Sequence, residues 1–411
     1  MSDIVLSASV RQNLLSLQST ADLLSTTQNR LATGNKVNSA LDNPTNYFTA
    51  QGLNSRASDI NNLLDGIGNG VQVLQAANTG ITSLQKLVDT AKSIANQALQ
   101  TNSGYTTKSS VAYTGAGAGT GAATADDLTG GGGAGGSKLT GSAFVFTTEA
   151  GAKTITIDGT TVKSLADLNK ALSSNGVSLT ASLTGANELT FTSTNDSAGQ
   201  TITTATTAAA AGTITGDAIE ISIAAASATA GSVTAAVPDA VSQSNRASLV
   251  SQYNQILDQI KTTAQDSSFN GVNLLNGDQL KLVFNETGKS TLTIQGVTFD
   301  PAGLGLNTLT AGTDFVDNFM TNKVLTSLNN ASSTLRSQAS TLGSNLSIVQ
   351  IRQDFNKNLI NVLQTGASNL TLADTNEEAA NSQALSTRQS IAVSALALAN
   401  QSQQSVLQLL R

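Results

Sequence analysis

Apolar residues recur every seven positions along four segments of the chain. A strict seven-residue repeat keeps one apolar row facing a partner helix, so the pattern predicts long helices that pack side by side in a supercoil. The first segment has a seam spaced by four and three residues, with Gln28 as the polar exception: Val10, Leu14, Leu17, Ala21, Leu24 and Leu31. The second and third segments have seven-residue rows: Leu53, Ile60, Ile67, Leu74, Ile81, Val88 and Ala95, and then Leu328, Leu335, Leu342, Val349, Asn356, Leu363 and Leu370. In the last segment Leu385, Ala392, Ala399 and Val406 make one row, Leu396 and Leu410 make part of another, and Leu407 completes the predicted seam.

The links between these segments carry the residues that end and begin helices. The stretch "TGNKVNSALDNP" (Thr33–Pro44) opens with a glycine and closes with Asp-Asn-Pro, the order of a glycine C-cap followed by an N-cap and a first-turn proline. The second segment (Asn46–Gln100) then predicts one helix about 80 Å long at ~1.5 Å per residue. Near the end of the chain, Thr375 with Glu378 three residues later predicts a capping box.

Residues 105–244 differ from the rest of the chain, being rich in Gly, Ala, Ser and Thr. The predicted strands are "AFVF", "KTITID", "VSLTAS" and "ELTFTS". Asp158-Gly159 predicts a hairpin turn, and "SLADLNKAL" (Ser164–Leu172) predicts a short helix capped by its serine. The run "GGGGAGG" (Gly130–Gly136) is typical of a flexible loop.

A helical segment (Asn245–Gln265) follows, and the alternating residues 280–299 around Glu286–Gly288 predict a β-hairpin. The fold class is therefore mainly α with a β-rich insert. Long antiparallel, coiled-coil-like helices come from both termini, the hairpin belongs to the helical part, and the insert forms an α+β outer domain.

The composition of the chain argues against most catalytic, metal-binding and nucleic-acid-binding functions. The chain has no His and no Cys, the commonest general base and the thiolate ligand. The net charge of -6 argues against a nucleic-acid partner. We therefore expect no catalytic residues, no cofactor and no metal. The start "MSDIVLSASVRQ" lacks the pattern of a cleaved signal peptide, and no apolar run reaches the ~20 residues that span a bilayer.

Two weak motifs have simpler explanations. The glycine run is not a phosphate-binding loop, because Lys138 lies outside the required spacing. Asp42, Asp126 and Asp127 suggest calcium, but none lies in a twelve-residue loop with the needed ligand spacing. Solvated surface carboxylates are the better interpretation.

Several separated motifs, in order, resemble those of bacterial flagellin over residues 1–104 and 245–411. They are "QNRLATGNKVNSALDNPTNYFTAQGL" (Gln28–Leu53), "FNGVNLLNG" (Phe269–Gly277), "LGLNTL" (Leu304–Leu309) and "ANQSQQSVLQLLR" (Ala399–Arg411). The variant "DNPTNYF" (Asp42–Phe48) is similar to flagellins of alphaproteobacteria.

The resemblance implies a structural subunit that polymerises into the flagellar filament. It assigns residues 1–45 and 374–411 to a terminal coiled-coil domain of the filament's inner tube. It assigns residues 46–104 and 245–373, with the hairpin, to a helical rod domain, and leaves 105–244 as a surface-exposed insert. The apolar rows of the first and last segments become the filament-assembly seams. Heptad rows without such a resemblance more often indicate packing within one chain.

The resemblance also implies location and partners. The partners are further copies of the chain, a flagellar export chaperone, the type III export apparatus, and hook-associated junction and cap proteins. The protein would be extracellular, exported without a cleaved signal peptide and without membrane insertion. Two alternatives are a hook–filament junction protein, which shares the terminal helices, and a secreted enzyme carried on this scaffold. The enzyme alternative lacks any visible acid–base or metal constellation.

One family feature is altered. In many members the animal Toll-like receptor for flagellin binds a rod-helix motif L-Q-R-[VI]-R-E-L. The matching stretch here is "LQKLVDT", in which Lys86, Val88, Asp89 and Thr90 depart from that motif. We expect a degenerate recognition motif and weak receptor binding.

Overall fold

A computed structural model describes residues 8–102, 104–116, 119–130, 136–205, 218–223 and 228–409. The helices are α1 (Ala8–Thr33), α2 (Pro44–Gln100), α3 (Leu165–Ser174), α4 (Ala240–Asp266), α5 (Asn318–Thr371) and α6 (Thr375–Leu409). The four predicted long helices are confirmed as α1, α2, α5 and α6. The helix predicted from Asn245 is α4, which begins five residues earlier because Asp239 caps it by accepting from the Ser242 backbone N–H.

Among the described residues, three strand groups lie in the insert and one in the hairpin. The strands are β1 (Tyr105–Thr107), β2 (Ser110–Gly115), β3 (Ala143–Thr148), β4 (Gly151–Thr156), β5 (Leu179–Gly185), β6 (Glu188–Ser193), β7 (Thr201–Ala205), β8 (Ala218–Ile223), β9 (Ala228–Thr234), β10 (Val237–Pro238), β11 (Gln279–Val283) and β12 (Thr291–Gln295). The predicted hairpin is confirmed, because β11 pairs with β12. Together these elements confirm the mainly α class with a β-rich middle.

The chain divides into two compact units. The first contains residues 1–72, 281–294 and 346–411, and the second contains residues 73–280 and 295–345. Helices α2 and α5 contribute to both, so the units do not coincide with the terminal and rod domains expected above. Those domain boundaries stay a prediction.

In the first unit, the link between α1 and α2 is ordered by its own side chains. Gly34 ends α1 in a left-handed conformation, with φ of 69°. Asn43 caps α2 by accepting from the Asn46 backbone N–H at 3.0 Å, and Pro44 is the first helical residue. Asp42 accepts from the backbone N–H groups of Asn38 and Ser39. The Asp-Asn-Pro stretch therefore opens α2 as predicted, with Asn43 as the cap, Pro44 as the first helical residue and Asp42 holding the backbone of the link.

The start of α6 differs from its prediction. Asp374, not Thr375, accepts from the first backbone N–H groups of the helix, those of Asn376 at 2.9 Å and Glu377 at 3.3 Å. Glu378 does not close a capping box, because its carboxylate pairs with Arg30 of α1 at 3.4 Å. The predicted capping box is therefore wrong: a tertiary ion pair takes the side chain that would have completed it.

The heptad rows of α2 and α5 are buried, except that Leu53 and Leu370 at one end of each row are half-buried. In the first unit, Ala57 and Ile60 of α2 pack against Ile360 and Leu363 of α5. The one polar member of the α5 row, Asn356, is also buried, and its side-chain amide donates to the Phe284 carbonyl of the hairpin at 3.0 Å. A hydrogen bond to the hairpin thus explains why a polar residue occupies an apolar row.

In the second unit, Arg246 of α4 joins the ends of other elements. Its guanidinium donates to the carbonyls of Thr101 and Asn102, just beyond α2, at 2.8 and 2.9 Å. It also donates to the Phe315 carbonyl at 2.7 Å and to Asn318 Oδ1 at 3.3 Å. Arg246 is almost fully buried, so its hydrogen bonds offset the cost of burying the charge.

The insert is a pair of four-stranded sheets, ordered β5-β6-β2-β9 and β4-β3-β8-β7, with β7 and β8 parallel. Its neck is the antiparallel pair β1–β10. Tyr113, Phe144, Phe146 and Phe191 fill the core with mainly edge-to-face ring contacts. The Tyr113 hydroxyl donates to the Ile221 carbonyl at 2.9 Å, so the one polar ring atom there is satisfied.

Two local predictions in the insert had different outcomes. Helix α3 has the predicted Ser164 cap, completed into a capping box by Asp167. Asp158-Gly159 is not a hairpin turn. The Asp158 carboxylate instead accepts from the backbone N–H groups of Thr160, Thr161 and Val162, within the loop that leads to α3. Hairpins in the insert instead join β3 to β4 and β5 to β6.

Candidate assembly surface

The first unit pairs the two ends of the chain as antiparallel helices. The end of α1 meets the start of α6, where Arg30 contacts Glu378, and Asn35 bridges Leu372 in the adjoining links. The backbone N–H groups of Lys36 and Val37 both donate to the Thr371 carbonyl, at 2.7 and 3.3 Å. The two links are therefore fastened to each other, which sets the register of α1 against α6.

The structure places the predicted seam residues at different depths. Val10 is buried, and Leu17, Ala21 and Leu24 are half-buried, whereas Leu14 and Leu31 are exposed. On α6, the predicted residues Leu385, Ala392, Leu396 and Ala399 are all half-buried. The side chains of Val406 and Leu407, and all of Leu410, lie outside the described residues.

Sequence reasoning missed two buried seam residues, Thr20 and Thr27. Thr20 lies three residues after Leu17 and Thr27 three residues after Leu24, both half-buried leucines, so spacing alone could have found them. Thr20 is tolerated because its hydroxyl donates to the Ser16 carbonyl at 2.8 Å, which leaves its methyl group for the seam. The seam inside one copy is consequently more polar than the sequence pattern suggested.

A second set of apolar side chains on the same two helices remains in water. More than half of the surface of each is exposed. They are Leu15 and Leu23 on α1 and Ile391, Val393 and Leu398 on α6. The two leucines of α1 line a shallow groove with Gln18, Asp22 and Thr26. Several large apolar side chains exposed on one pair of helices indicate an interaction site more often than a bare surface.

The degenerate recognition stretch lies on α2 in the second unit. Lys86, Asp89 and Thr90 are exposed, and the Thr90 hydroxyl donates to the Lys86 carbonyl at 2.9 Å. Val88 is 0% exposed. Val88 therefore packs in the helical core as a heptad-row residue and cannot contact a partner in this fold, unlike the other three.

In the described part of the chain, no three acidic residues group as a metal site needs. The shifted carboxyl groups are held by hydrogen bonds: the Val162, Thr160 and Thr161 backbone N–H groups hold the pKa of Asp158 well below its usual range. Burial raises the pKa of Tyr253 to about 12. Among the helices of the described residues, none is long and apolar enough to span a bilayer.

Fold and surface define a class of protein: a helical structural chain whose ends pair with each other and present further apolar rows to water. Residues 5–114 match the family model of the bacterial flagellin N-terminal helical region. Residues 325–410 match that of the bacterial flagellin C-terminal helical region. The chain belongs to the bacterial flagellin family.

Named relatives agree with this family. The chain is similar to flagellin FljM of Caulobacter vibrioides, 33% identical over 165 residues, which are 40% of this chain and 59% of the relative. Flagellin FljJ of the same organism is 30% identical over 184 residues, 44% of this chain and 66% of the relative. Flagellin A of Rhizobium meliloti is 39% identical over 77 residues, 19% of this chain and 20% of the relative. The match thus spans roughly three fifths of the first relatives' length. Both organisms are alphaproteobacteria, the group that the "DNPTNYF" variant predicted.

Proposed function

We propose that this protein is a structural subunit that polymerises into the bacterial flagellar filament. The observation that carries the proposal is the pair of terminal helices, which cover one set of apolar residues only in part and leave another set in water. Burying a Leu or Ile side chain contributes about 1.5–3 kcal/mol, so the exposed rows of α1 and α6 offer a substantial gain to any arrangement that covers them. Further copies of the chain cover them in a filament.

The marginal seam supports the same proposal. Thr20 and Thr27 replace larger apolar side chains at its centre, so the two helices gain little from each other alone. Ordering a helix costs about 1–2 kcal/mol per residue in backbone entropy. Packing by neighbouring copies would offset this cost, which couples the order of the chain ends to assembly.

The proposal extends to location and partners. The protein acts outside the cell in the filament, after export by the flagellar type III apparatus with an export chaperone. It joins the hook through junction proteins and grows beneath a cap protein. It is not an enzyme, and it uses neither metal nor cofactor.

The test places a charge on the exposed row. Leu15→Asp and Leu23→Asp change side chains that are in water in one copy, so the monomer should keep its helix content by circular dichroism. In a polymer each variant would bury an unpaired carboxylate, which is strongly unfavourable. We expect filaments from the unmodified chain, by sedimentation and negative-stain microscopy, and none from either variant.

Ser25→Asp is the matched control, since it adds the same charge to an exposed position of α1 on another face of the helix. It should polymerise normally if the surface outside the apolar row is unimportant. Normal filaments from Leu15→Asp and Leu23→Asp would contradict the assignment of this face to assembly. An unmodified chain that stays monomeric under all conditions would contradict the function itself.

A further inference from the structure

A cleft lies in the second unit, where the insert meets the start of α5. Its volume is about 330 Å³, roughly ten times the ~30 Å³ that one water molecule occupies in the liquid. The residues that line it include Gln200 just before β7, Ile219 of β8 and Phe319 in the first turn of α5. This space, the Gln200 cleft, is large enough for a small organic molecule.

Among the described residues, no group donates to the side-chain oxygen of Gln200. The residue is only 5% exposed, and its Oε1 atom is buried without a hydrogen-bond partner. Its backbone N–H, in contrast, donates to the Ser197 carbonyl at 3.0 Å. An unpaired buried amide oxygen costs stability. Because the amide can turn about its last torsion, a ligand in the cleft can use either its oxygen or its NH2 group.

The charges at the cleft favour a neutral ligand. Glu149 is the one charged side chain among the described residues of the lining. Its two carboxylate oxygens already accept from Lys323 Nζ, at 3.2 and 3.3 Å. Glu149 would repel an anion, and a cation would have to compete with Lys323. A neutral molecule with hydroxyl groups meets neither obstacle, and the carboxylate keeps further lone pairs that can accept from it.

Most of the remaining lining is apolar. Ile219 is buried and Phe319 is half-buried, and Ala150 and Ala218 also contribute. The face of an aromatic ring carries negative charge density, which attracts C–H groups with partial positive charge. The lining therefore suits a compact ring that has C–H groups on its faces and hydroxyl groups at its edge.

We propose that the Gln200 cleft binds one pyranose ring of a neutral sugar. A hydroxyl group both donates and accepts, so the ring's edge can pair with the amide of Gln200 and with the carboxylate of Glu149. A C–H face of the ring packs on Phe319 and Ile219. The site contains no residue of the terminal helices and needs no second copy of the chain, so it stands or fails separately from polymerisation.

Saturation-transfer NMR on the full-length monomer tests the site. The probes are methyl β-D-glucopyranoside, methyl β-D-galactopyranoside and methyl α-D-mannopyranoside, and the charged controls are acetate and tetramethylammonium. We expect saturation of the ring protons of at least one glycoside, with a Kd on the order of 1 mM for a ligand of this size. The charged controls should receive none. Failure of all three glycosides, or binding of a charged probe alone, would overturn the proposal.

Two variants locate the binding. Gln200→Leu removes the amide and should weaken glycoside binding by roughly tenfold, as for a lost hydrogen bond. Ala218→Phe fills part of the cleft and should abolish binding. Gln255→Leu, the same exchange as at position 200 but at an exposed position of α4, is the control and should bind like the unmodified chain. Undiminished binding by both cleft variants would place the sugar elsewhere and contradict the assignment.

Thermal unfolding separates a binding role of Gln200 from a structural one. Gln200→Leu deletes a buried acceptor that has no partner. The unfolding temperature of the insert without sugar should therefore stay the same or rise by roughly 2 °C. A glutamine kept for folding would instead lower it on substitution. A fall of several degrees together with lost binding would assign Gln200 to folding and overturn its role in sugar binding.

Discussion

The insert buries four aromatic rings against one another, whereas the α1–α6 pair leaves rows of leucine and isoleucine in water. Tyr113 and Phe191 are each 0% exposed, and even the tyrosine hydroxyl has an acceptor inside the same domain. Leu15 and Ile391 have no such surroundings in one copy. The comparison teaches that the insert completes its core by folding, and the terminal pair needs other molecules to complete its own.

Composition follows the same division. The chain has only ten Phe and four Tyr, and four of these fourteen residues form the insert core. The terminal pair uses aliphatic side chains together with Thr20 and Thr27. Aromatic residues contribute large buried areas to a small core, while aliphatic heptad rows suit repeated helix contacts. The insert, which completes its own core, thus uses aromatic residues there, and the terminal helices, which need other copies, use aliphatic ones.

The largest expected effect is a loss of stability in the insert that leaves the α1–α6 pair unchanged. Phe191→Ala removes the ring that contacts Tyr113, Phe144 and Phe146. We expect it to lower the free energy of unfolding of the insert by about 3–5 kcal/mol, the usual cost of such a cavity. Hydrogen exchange should rise in insert peptides but not in α1 or α6, and filaments should still form.

Val233→Ala is the control for that prediction, because Val233 also lies in the insert but is partly exposed. Its effect on exchange should be small. If Phe191→Ala abolished polymerisation while α1 and α6 stayed protected, the insert would take part in assembly, and the contrast between the two regions would break down.

Acid should act on the insert through its loop carboxylates. Hydrogen bonds from backbone N–H groups lower the pKa values of Asp158 and Asp167. A lowered folded-state pKa stabilises the fold above the unfolded-state value, near 3.9, and this contribution is lost as the pH falls towards the folded-state value. We therefore expect the unfolding temperature of the insert to decrease when the pH is lowered below about 4.

Asp158→Asn sharpens this prediction, because the amide keeps an acceptor oxygen but has no titrating charge. Its insert should be less stable near neutral pH and show a flatter decline on acidification, measured by near-ultraviolet circular dichroism during heating. Asp126→Asn is the control, since Asp126 is exposed on another loop. An unchanged pH profile for Asp158→Asn would show that the loop carboxylate does not contribute.

The long helices were predictable, and their individual partners were not. The row Ile60, Ile67, Leu74 and Ile81 is buried as its spacing requires, and the Asp-Asn-Pro stretch begins α2 as expected. The strand order was not predictable, because β2 pairs with β9 and β3 with β8 across long intervals of sequence. Thr375 and Glu378 matched a capping box, but Glu378 pairs with Arg30, a contact that local sequence cannot show.

Val88 shows how two patterns can disagree at one residue. Its place in the heptad row predicted burial, and its place in the receptor motif predicted a surface role. The structure supports the heptad row, since Val88 is 0% exposed. Periodicity along a whole helix describes packing, whereas a short motif describes a surface only when its residues face outward. The candidate recognition site is therefore reduced to Lys86, Asp89 and Thr90.

The smallest expected effect concerns this reduced site. Lys86 carries a charge without the planar fork of arginine, and Thr90 replaces an apolar leucine. The unmodified monomer should stimulate the animal receptor far less than an enterobacterial flagellin in a reporter-cell titration. Lys86→Arg with Thr90→Leu should raise its potency by roughly fivefold or more, because each restored anchor contributes about 1 kcal/mol. Thr82→Leu with Lys92→Arg, the same exchanges at other positions of α2, should leave potency unchanged.

Val88→Arg should instead destabilise the helical core, because it buries a charge. A rise in potency from Val88→Arg, with the fold intact, would show that this position faces the receptor after all.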